Sequence, residues 1–252
     1  MRISVITATY NSQAFLKTAL DSFIAQSYIN KELVIVDGKS TDDTLEILAS
    51  KHQHINTIVS EPDKGIYDAL NKGIQLATGD VIGILHSDDF FADENVLAGV
   101  KQKFDEDAKL DAVYGDLQYI NRENPDKIIR NWISGEYNIN NFKRGWMPPH
   151  PALFIKKRCF KKFGLYDLGY KSAADYDLIL RFLFKHQIEA AYLPKVLTKM
   201  RVGGLSNRSF KNRLNANRED RMALEKNGVP NPLLVSVLKP LSKIGQFWNK
   251  NF

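Results

Sequence analysis

Cysteine is nearly absent from this chain: Cys159 stands alone in 252 residues. A single thiol excludes an intramolecular disulfide and a cysteine-cluster zinc site, and it fits a reducing compartment. No stretch approaches the roughly 18 apolar residues that a membrane-spanning helix requires. No apolar signal core follows Met1 and Arg2 either. These absences set the expectation of a cytoplasmic protein, soluble or peripheral to a membrane. Two glycine-rich phosphate motifs are missing as well. Neither GxGxxG nor GxxxxGK[ST] occurs, which disfavours dinucleotide and P-loop chemistry. Repeats and low-complexity tracts are also lacking.

What remains is an ordinary globular composition, 44% hydrophobic and 25% charged, long enough for one large domain with appendages. The net charge of +6 is unevenly placed. From Lys195 to the end stand twelve Lys or Arg against three acids, so the rest of the chain is slightly acidic. A basic tail on a near-neutral body fits an anionic partner: lipid headgroups, nucleic acid or an acidic substrate. Nucleic acid is the weakest of these, because no reading motif or groove-fitting element accompanies the charge.

The patterning is that of an α/β protein. Short apolar runs at 2–7, 32–37, 55–60 and 78–85 read as buried strands. Between them lie helical spacings: Phe15, Leu16, Ala19, Leu20 and Phe23, then Leu45, Ile47 and Leu48, then residues 66–77. Strand and helix in alternation predict a mostly parallel sheet with helices on both faces.

The last of these strands runs into Leu85-His86-Ser87-Asp88-Asp89-Phe90. Two adjacent carboxylates at a buried strand end are costly, since each is desolvated beside a like charge. A hard divalent cation, Mg²⁺ or Mn²⁺, would relieve that cost. Alternatively, one acid caps the helix expected near Asp93. The other strand ends carry Thr7 and Thr9, Asp37, and the Asp63–Lys64 turn to the same edge, where ligands of open α/β sheets gather. A single Asp there is explained equally by an Asx turn. Taken together, the edge reads as a nucleotide site, with Asp37 accepting from base or ribose and the acid pair holding metal and phosphate.

Beyond Phe91 a further strand is expected at 112–116, continuing to a turn at 124–126. Pro148-Pro149-His150-Pro151 fits neither helix nor central strand, so it reads as a rigid loop. His150 either faces the cleft or bonds nearby backbone. A helix is expected over 172–182, with Asp175 in its first turn, where the dipole favours a carboxylate, and Asp177 paired with Arg181 one turn on. A loop is expected at 198–206. The tail predicts a charged helix at 208–226. An apolar stripe of Leu234, Val237, Leu238, Leu241, Ile244, Phe247 and Trp248 follows, with Lys239, Lys243 and Lys250 off it. That stripe suits either a membrane interface or packing on the body, with Pro240 as a kink.

Several motifs in order resemble one family. Thr7-Ala8-Thr9-Tyr10-Asn11, then Val36-Asp37-Gly38-Lys39-Ser40-Thr41-Asp42-Asp43-Thr44, then the Asp88-Asp89 strand end are similar to family 2 glycosyltransferases of GT-A fold. The segment 60–73 and His150-Pro151-Ala152-Leu153-Phe154 extend the resemblance to the branch that builds exopolysaccharides such as colanic acid, and O-antigens. It covers roughly residues 1–205: a nucleotide-sugar half at 1–90 and an acceptor half at 91–205, with 206–252 as a basic helical extension.

The resemblance implies inverting transfer from a nucleotide-diphosphate sugar, with UDP the first choice, using Mn²⁺ or Mg²⁺. It implies that Asp37 contacts the base, that Thr7, Thr9 and Tyr10 line the nucleoside pocket, and that Asp63 belongs to the donor site. Asp88 and Asp89 take the metal place, Arg201 neutralises the leaving diphosphate, and Asp175 is the general base with His150 beside it. Two positions depart from the family. His86 stands where an acid is common, and Leu70 where many members have an Arg, leaving Lys64 or Lys72 to supply that charge. The implied acceptor is an oligosaccharide on undecaprenyl diphosphate, with the extension against an anionic inner-membrane face on the cytoplasmic side. Two rivals stand beside this. A nucleotidyltransferase would want a Gly-rich basic loop after the first strand, and residues 8–12 lack one. A non-catalytic nucleotide-sugar-binding scaffold would show no transfer for Asp175→Asn to abolish.

Overall fold

A computed structural model describes residues 1–203 and 210–241, without the side chains of 210–214 and 241. Strands β1 (Ile3–Thr9), β2 (Lys31–Asp37), β3 (Thr57–Ser60) and β4 (Val81–Ile84) form the parallel half of one sheet. The side chains of β1, β2 and β4 are buried on both faces, whereas edge strand β3 is half-buried to exposed. Ile6 and Val34 enter one apolar cluster, while Val5, Leu33 and Ile35 enter the other, as the two-residue period of a strand requires. Helices α1 (Leu16–Ile24), α2 (Thr44–Ser50) and α3 (Ile66–Leu76) connect them. The four strands and three helices expected over residues 2–85 are all present. Leu70, at the position where an Arg is common, lies wholly in the core.

The second half of the sheet is mixed. After β4 come β5 (Phe90–Phe91), α4 (Val96–Glu106), β6 (Ala112–Ile120), β7 (Ile128–Trp132) and β8 (Leu153–Lys156). There follow α5 (Lys157–Phe163), α6 (Ala174–Ile179) and β9 (Ala190–Arg201). The spatial order is β3-β2-β1-β4-β8-β6-β9-β5, with β7 on β6. Strand β8 is antiparallel to both β4 and β6. Two reversals cancel, so β6 and its parallel neighbour β9 end at the same edge as β1, β2 and β4.

Residues 198–201, expected as loop, instead form the end of β9, paired with β6 and with β5. Glycines 203 and 204 were the loop signal, but the ladder bonds carry the strand to Arg201. The remainder of that loop, from Gly204, lies outside the described residues.

Helices α7 (Phe210–Lys226) and α8 (Pro232–Leu241) follow. Ala223, Leu224, Val229 and Val235 share the apolar cluster that contains Ile6 and Tyr176. Contact with α8 is close. A Cβ on Gly145 would lie 2.6 Å from Lys239 Cα. Lys239, expected off the apolar stripe, is buried. Its Nζ lies 2.8 Å from Asp220 Oδ2 and 3.4 Å from the Tyr176 ring centroid. Leu233, Leu234 and Val237 face outward. Ile244, Phe247, Trp248, Lys243 and Lys250 lie outside the described residues.

Candidate active site

Asp88 and Asp89 occupy a tight turn between β4 and β5, closed by Asp89 N–H donating to His86 O at 3.0 Å. They cap no helix: α4 begins at Val96 after Asn95, with β5 intervening. The two carboxylates are unequal. Asp89 is turned inward, its Oδ1 accepting from Arg201 N–H at 3.1 Å, while its Oδ2 is buried without a partner. Burial, and then the charge of Asp88, push the Asp89 carboxyl well above the usual range. Asp88 remains half-buried. An orphaned carboxylate oxygen beside a second carboxylate is the donor chemistry of Mg²⁺ or Mn²⁺. Among the described residues no group of three or more His, Cys, Asp or Glu could hold a metal. The pair therefore fits an ion that takes its other ligands from phosphate oxygens and water, as Mg²⁺ commonly does.

Arg201 joins this turn to the end of β9. Its guanidinium donates to Asp88 O at 2.6 Å and stacks 4.6 Å from the Phe15 centroid and 5.0 Å from that of Phe90. Although Arg201 is only 5% exposed, its Nε finds no hydrogen-bond partner. Arg122, in the turn after β6, lies over the same Phe15 ring at 4.5 Å. Two guanidinium groups thus share one ring, and no ion pair joins either to a carboxylate among the described residues. Phe15, expected on the apolar face of the first helix, stands just before α1 instead. Arg122 carried no sequence signal, because the ring and the cation meet only through the chain segments that follow β1 and β6.

The opposite corner is built around Asp37 at the end of β2. Asp37 is wholly buried and accepts on both oxygens: from Thr9 Oγ1 at 3.0 Å, Ser40 Oγ at 2.5 Å, Ser40 N–H at 3.0 Å and Ser60 Oγ at 2.7 Å. Burial pushes this carboxyl up, but those bonds outweigh it and hold it below the usual range. Four bonds fill the four lone-pair positions of a carboxylate. Asp37 therefore ties the ends of β1, β2 and β3, and contacts a base only by exchanging one of these bonds. Thr9 is in that network and Thr7 is buried in β1. Tyr10, 65% exposed, stands at the rim. A Cβ on Gly38 would lie 2.6 Å from Asp63 Oδ2 and 3.3 Å from Tyr10 Cδ2, so these three converge. Lys64 is exposed in the turn. Lys72 pairs with Glu61 at 2.8 Å, donates to Pro62 O at 3.1 Å and lies within electrostatic reach of Asp63.

In the mixed half of the sheet the proline-rich loop leads through a single turn at His150–Ala152 into β8. His150 Nε2 lies 2.6 Å from the Tyr166 hydroxyl. Burial pushes its pKa down to about 4, against the opposing charge of Asp175. The Tyr166 ring stacks on Tyr67 at 5.6 Å, and Tyr67 donates to Asp175 Oδ1 at 3.2 Å. Tyr176 N–H also donates to Oδ1, at 2.9 Å. Among the described residues Asp175 Oδ2 accepts nothing, so that oxygen is available to an incoming hydroxyl. Asp177 is structural as expected, 3.5 Å from Arg181. His86 closes the circle, its ring 5.9 Å from that of His150. It lies within electrostatic reach of both Asp88 and Asp175, although burial outweighs them and lowers its pKa. The His86–His150 contact therefore joins the acid turn to the group of residues around Asp175. Tyr67 lay inside a quoted motif without a role, and Tyr166 carried no signal.

Comparison with solved structures places this architecture among the GT-A glycosyltransferases. The fold matches S. aureus TarS 1–349 in complex with UDP-GlcNAc, at TM-score 0.73 and 19% identity, over 90% of this chain and 66% of that one. It also matches mannosyltransferase PcManGT from Pyrobaculum calidifontis, in complex with GDP-Man and Mn²⁺, at TM-score 0.67 and 20% identity, over 98% and 71%. The chain belongs to glycosyl transferase family 2, whose model matches residues 4–161. Among curated relatives, a PGL/p-HBAD biosynthesis glycosyltransferase of Mycobacterium tuberculosis is 34% identical over 214 residues, covering 81% of this chain and 78% of its own. Escherichia coli chondroitin synthase is 29% identical over 200 residues, 75% of this chain and 28% of its own.

Proposed function

We propose that the protein transfers a sugar, with inversion, from a UDP-sugar to a lipid-linked oligosaccharide acceptor in the assembly of a bacterial surface polysaccharide. One observation carries this reading: the His86 ring, two residues before Asp88, lies 5.9 Å from that of His150, which is linked through Tyr166 and Tyr67 to Asp175. An acid pair and a half-free carboxylate are thus joined by one chain of contacts. Asp175 Oδ2 removes the acceptor proton, while Tyr67 and Tyr176 N–H hold Oδ1. Arg201 and Arg122 stabilise charge on the departing diphosphate. Asp88 and Asp89 would hold Mn²⁺ or Mg²⁺, which supplies Lewis-acid stabilisation of the same leaving group. Tyr10, Asp63 and the Thr9–Asp37 network take the nucleoside. The relatives support this direction: the Mycobacterium tuberculosis relative described above is named for PGL/p-HBAD biosynthesis, and the structural neighbours hold UDP-GlcNAc, or GDP-Man with Mn²⁺.

Calorimetric titration of UDP into the purified protein, with and without Mn²⁺ and beside GDP, tests the donor site. Metal-dependent UDP binding that is lost in Asp88→Asn and Asp89→Asn is expected. Failure of every nucleotide to bind sinks the enzymatic reading in favour of a scaffold.

The lipid-linked acceptor places the extension, residues 206–252, at an anionic membrane surface. Its support is the outward apolar row Leu233, Leu234 and Val237 on a segment rich in Lys and Arg. No helix among the described residues is long and apolar enough to cross a membrane, so contact would be interfacial. Replacing the three by Ser should abolish sedimentation with phosphatidylglycerol vesicles; unchanged sedimentation refutes the membrane contact.

A further inference from the structure

The start of α6 has an unusual partner. Ala173 holds the position before the helix and has no side-chain acceptor to offer. The acceptor comes instead from α7. Glu219 Oε2 receives Ser172 N–H at 2.8 Å, Ser172 Oγ–H at 3.0 Å, Lys171 N–H at 3.1 Å and Ala173 N–H at 3.2 Å. Three successive backbone N–H groups thus close around one carboxylate, an arrangement suited to anions, with charge-assisted bonds. Asp175 follows two residues after Ala173. Its Oδ1 is held by Tyr67 and Tyr176, but the direction of its free Oδ2 depends on where this turn sets the first residues of α6.

We infer that Glu219 is a positioning residue: by gripping residues 171–173 it fixes the start of α6 and so aims Asp175 into the cleft. The inference rests on the reading of Asp175 as the base. It makes part of the C-terminal extension a component of the active site, beyond any role at a membrane. The grip is separable from the packing of α7. That helix is independently tied down by Asn227 Nδ2 donating to Asp177 Oδ1 at 3.0 Å and by Lys226 Nζ, 2.7 Å from Asp167 Oδ2. Buried Ala223 and Leu224 anchor it further. Loss of the Glu219 carboxylate therefore frees the turn without releasing the helix.

The test uses the full chain with Mn²⁺ and the slow hydrolysis of UDP-GlcNAc, UDP-glucose, UDP-galactose or GDP-mannose, whichever the wild type consumes fastest. Glu219→Ala should lower kcat about tenfold or more, as small misplacements of a reacting group do. Affinity for the free nucleotide should stay within about twofold, because the donor edge is built from other strands. Amide hydrogen exchange of residues 171–176 should quicken about tenfold while α7 keeps its protection. Glu219→Gln keeps one carbonyl acceptor and should recover most of both losses. Unchanged exchange at 171–176 overturns the inference, as does a kcat that falls only in step with nucleotide affinity. Asp175→Asn with full hydrolysis, or a wild type that hydrolyses no donor, overturns the base reading and this role with it. Faster exchange in Glu219→Ala beside an inactive Asp175→Asn locates the effect in the turn.

Discussion

Tyr67 and Asp175, 108 residues apart, meet at 3.2 Å, the phenol donating to one carboxylate oxygen and leaving the other free. Helix α3 brings the tyrosine from the parallel half of the sheet, and the stack on Tyr166 fixes its ring. Tyr67→Phe keeps the stack and removes only the donor. Donor KM should be unchanged while kcat for transfer falls about tenfold, a loss confined to the step in which the carboxylate acts. An unchanged kcat would show that the hydroxyl does not orient the base.

Arg122 and Arg201 share the Phe15 ring beside the acid turn. If they neutralise a diphosphate, their truncation discriminates between ligands that carry one and ligands that do not. Arg122→Ala should weaken UDP binding about tenfold, the scale of one charge-assisted contact, and leave uridine binding unaltered. Equal weakening of both ligands would place Arg122 elsewhere.

His150 gives a pH dependence of known sign. Burial holds its pKa near 4, below the unfolded value of about 6.5. Between these values the unfolded chain binds the extra proton, so this contribution to stability is intact above 6.5 and is lost as pH falls towards 4. Denaturant titrations should show a slope in that window that is smaller in His150→Gln by up to about 1.4 kcal/mol per pH unit. An identical slope in the variant would assign it to other groups.

Gly73 reverses a common rule. Alanine in place of glycine inside a helix usually stabilises by about 1 kcal/mol. Here the added Cβ would overlap Ile6 Cγ2, on a buried β-branched side chain of β1 that cannot swing aside. Gly73→Ala should therefore destabilise by about 1–3 kcal/mol, measured by chemical denaturation. A rise in stability would mean that α3 can lift from the sheet at little cost.

Local pattern was enough for much of the protein. Alternation of buried runs such as 32–37 with helical spacings such as Leu16, Ala19, Leu20 and Phe23 determines the α/β layering, because strand and helix periods depend on neighbours in sequence. Asp88 and Asp89 were legible as a costly pair for the same reason: two carboxylates at a buried strand end are desolvated side by side wherever the strand goes, and Asp89 Oδ2 is indeed buried without a partner. Three matters were decided only by tertiary structure. The reversal at β8 brings β6 and β9 to the donor edge, so that Arg122 and Arg201 meet on Phe15. The engagement of Asp37 with Thr9, Ser40 and Ser60 makes it a brace. Glu219 and the buried Lys239 turn a basic tail into packing for α6. Each depends on groups far apart in the chain, whose encounter is set by strand pairing and burial, and no local period records it.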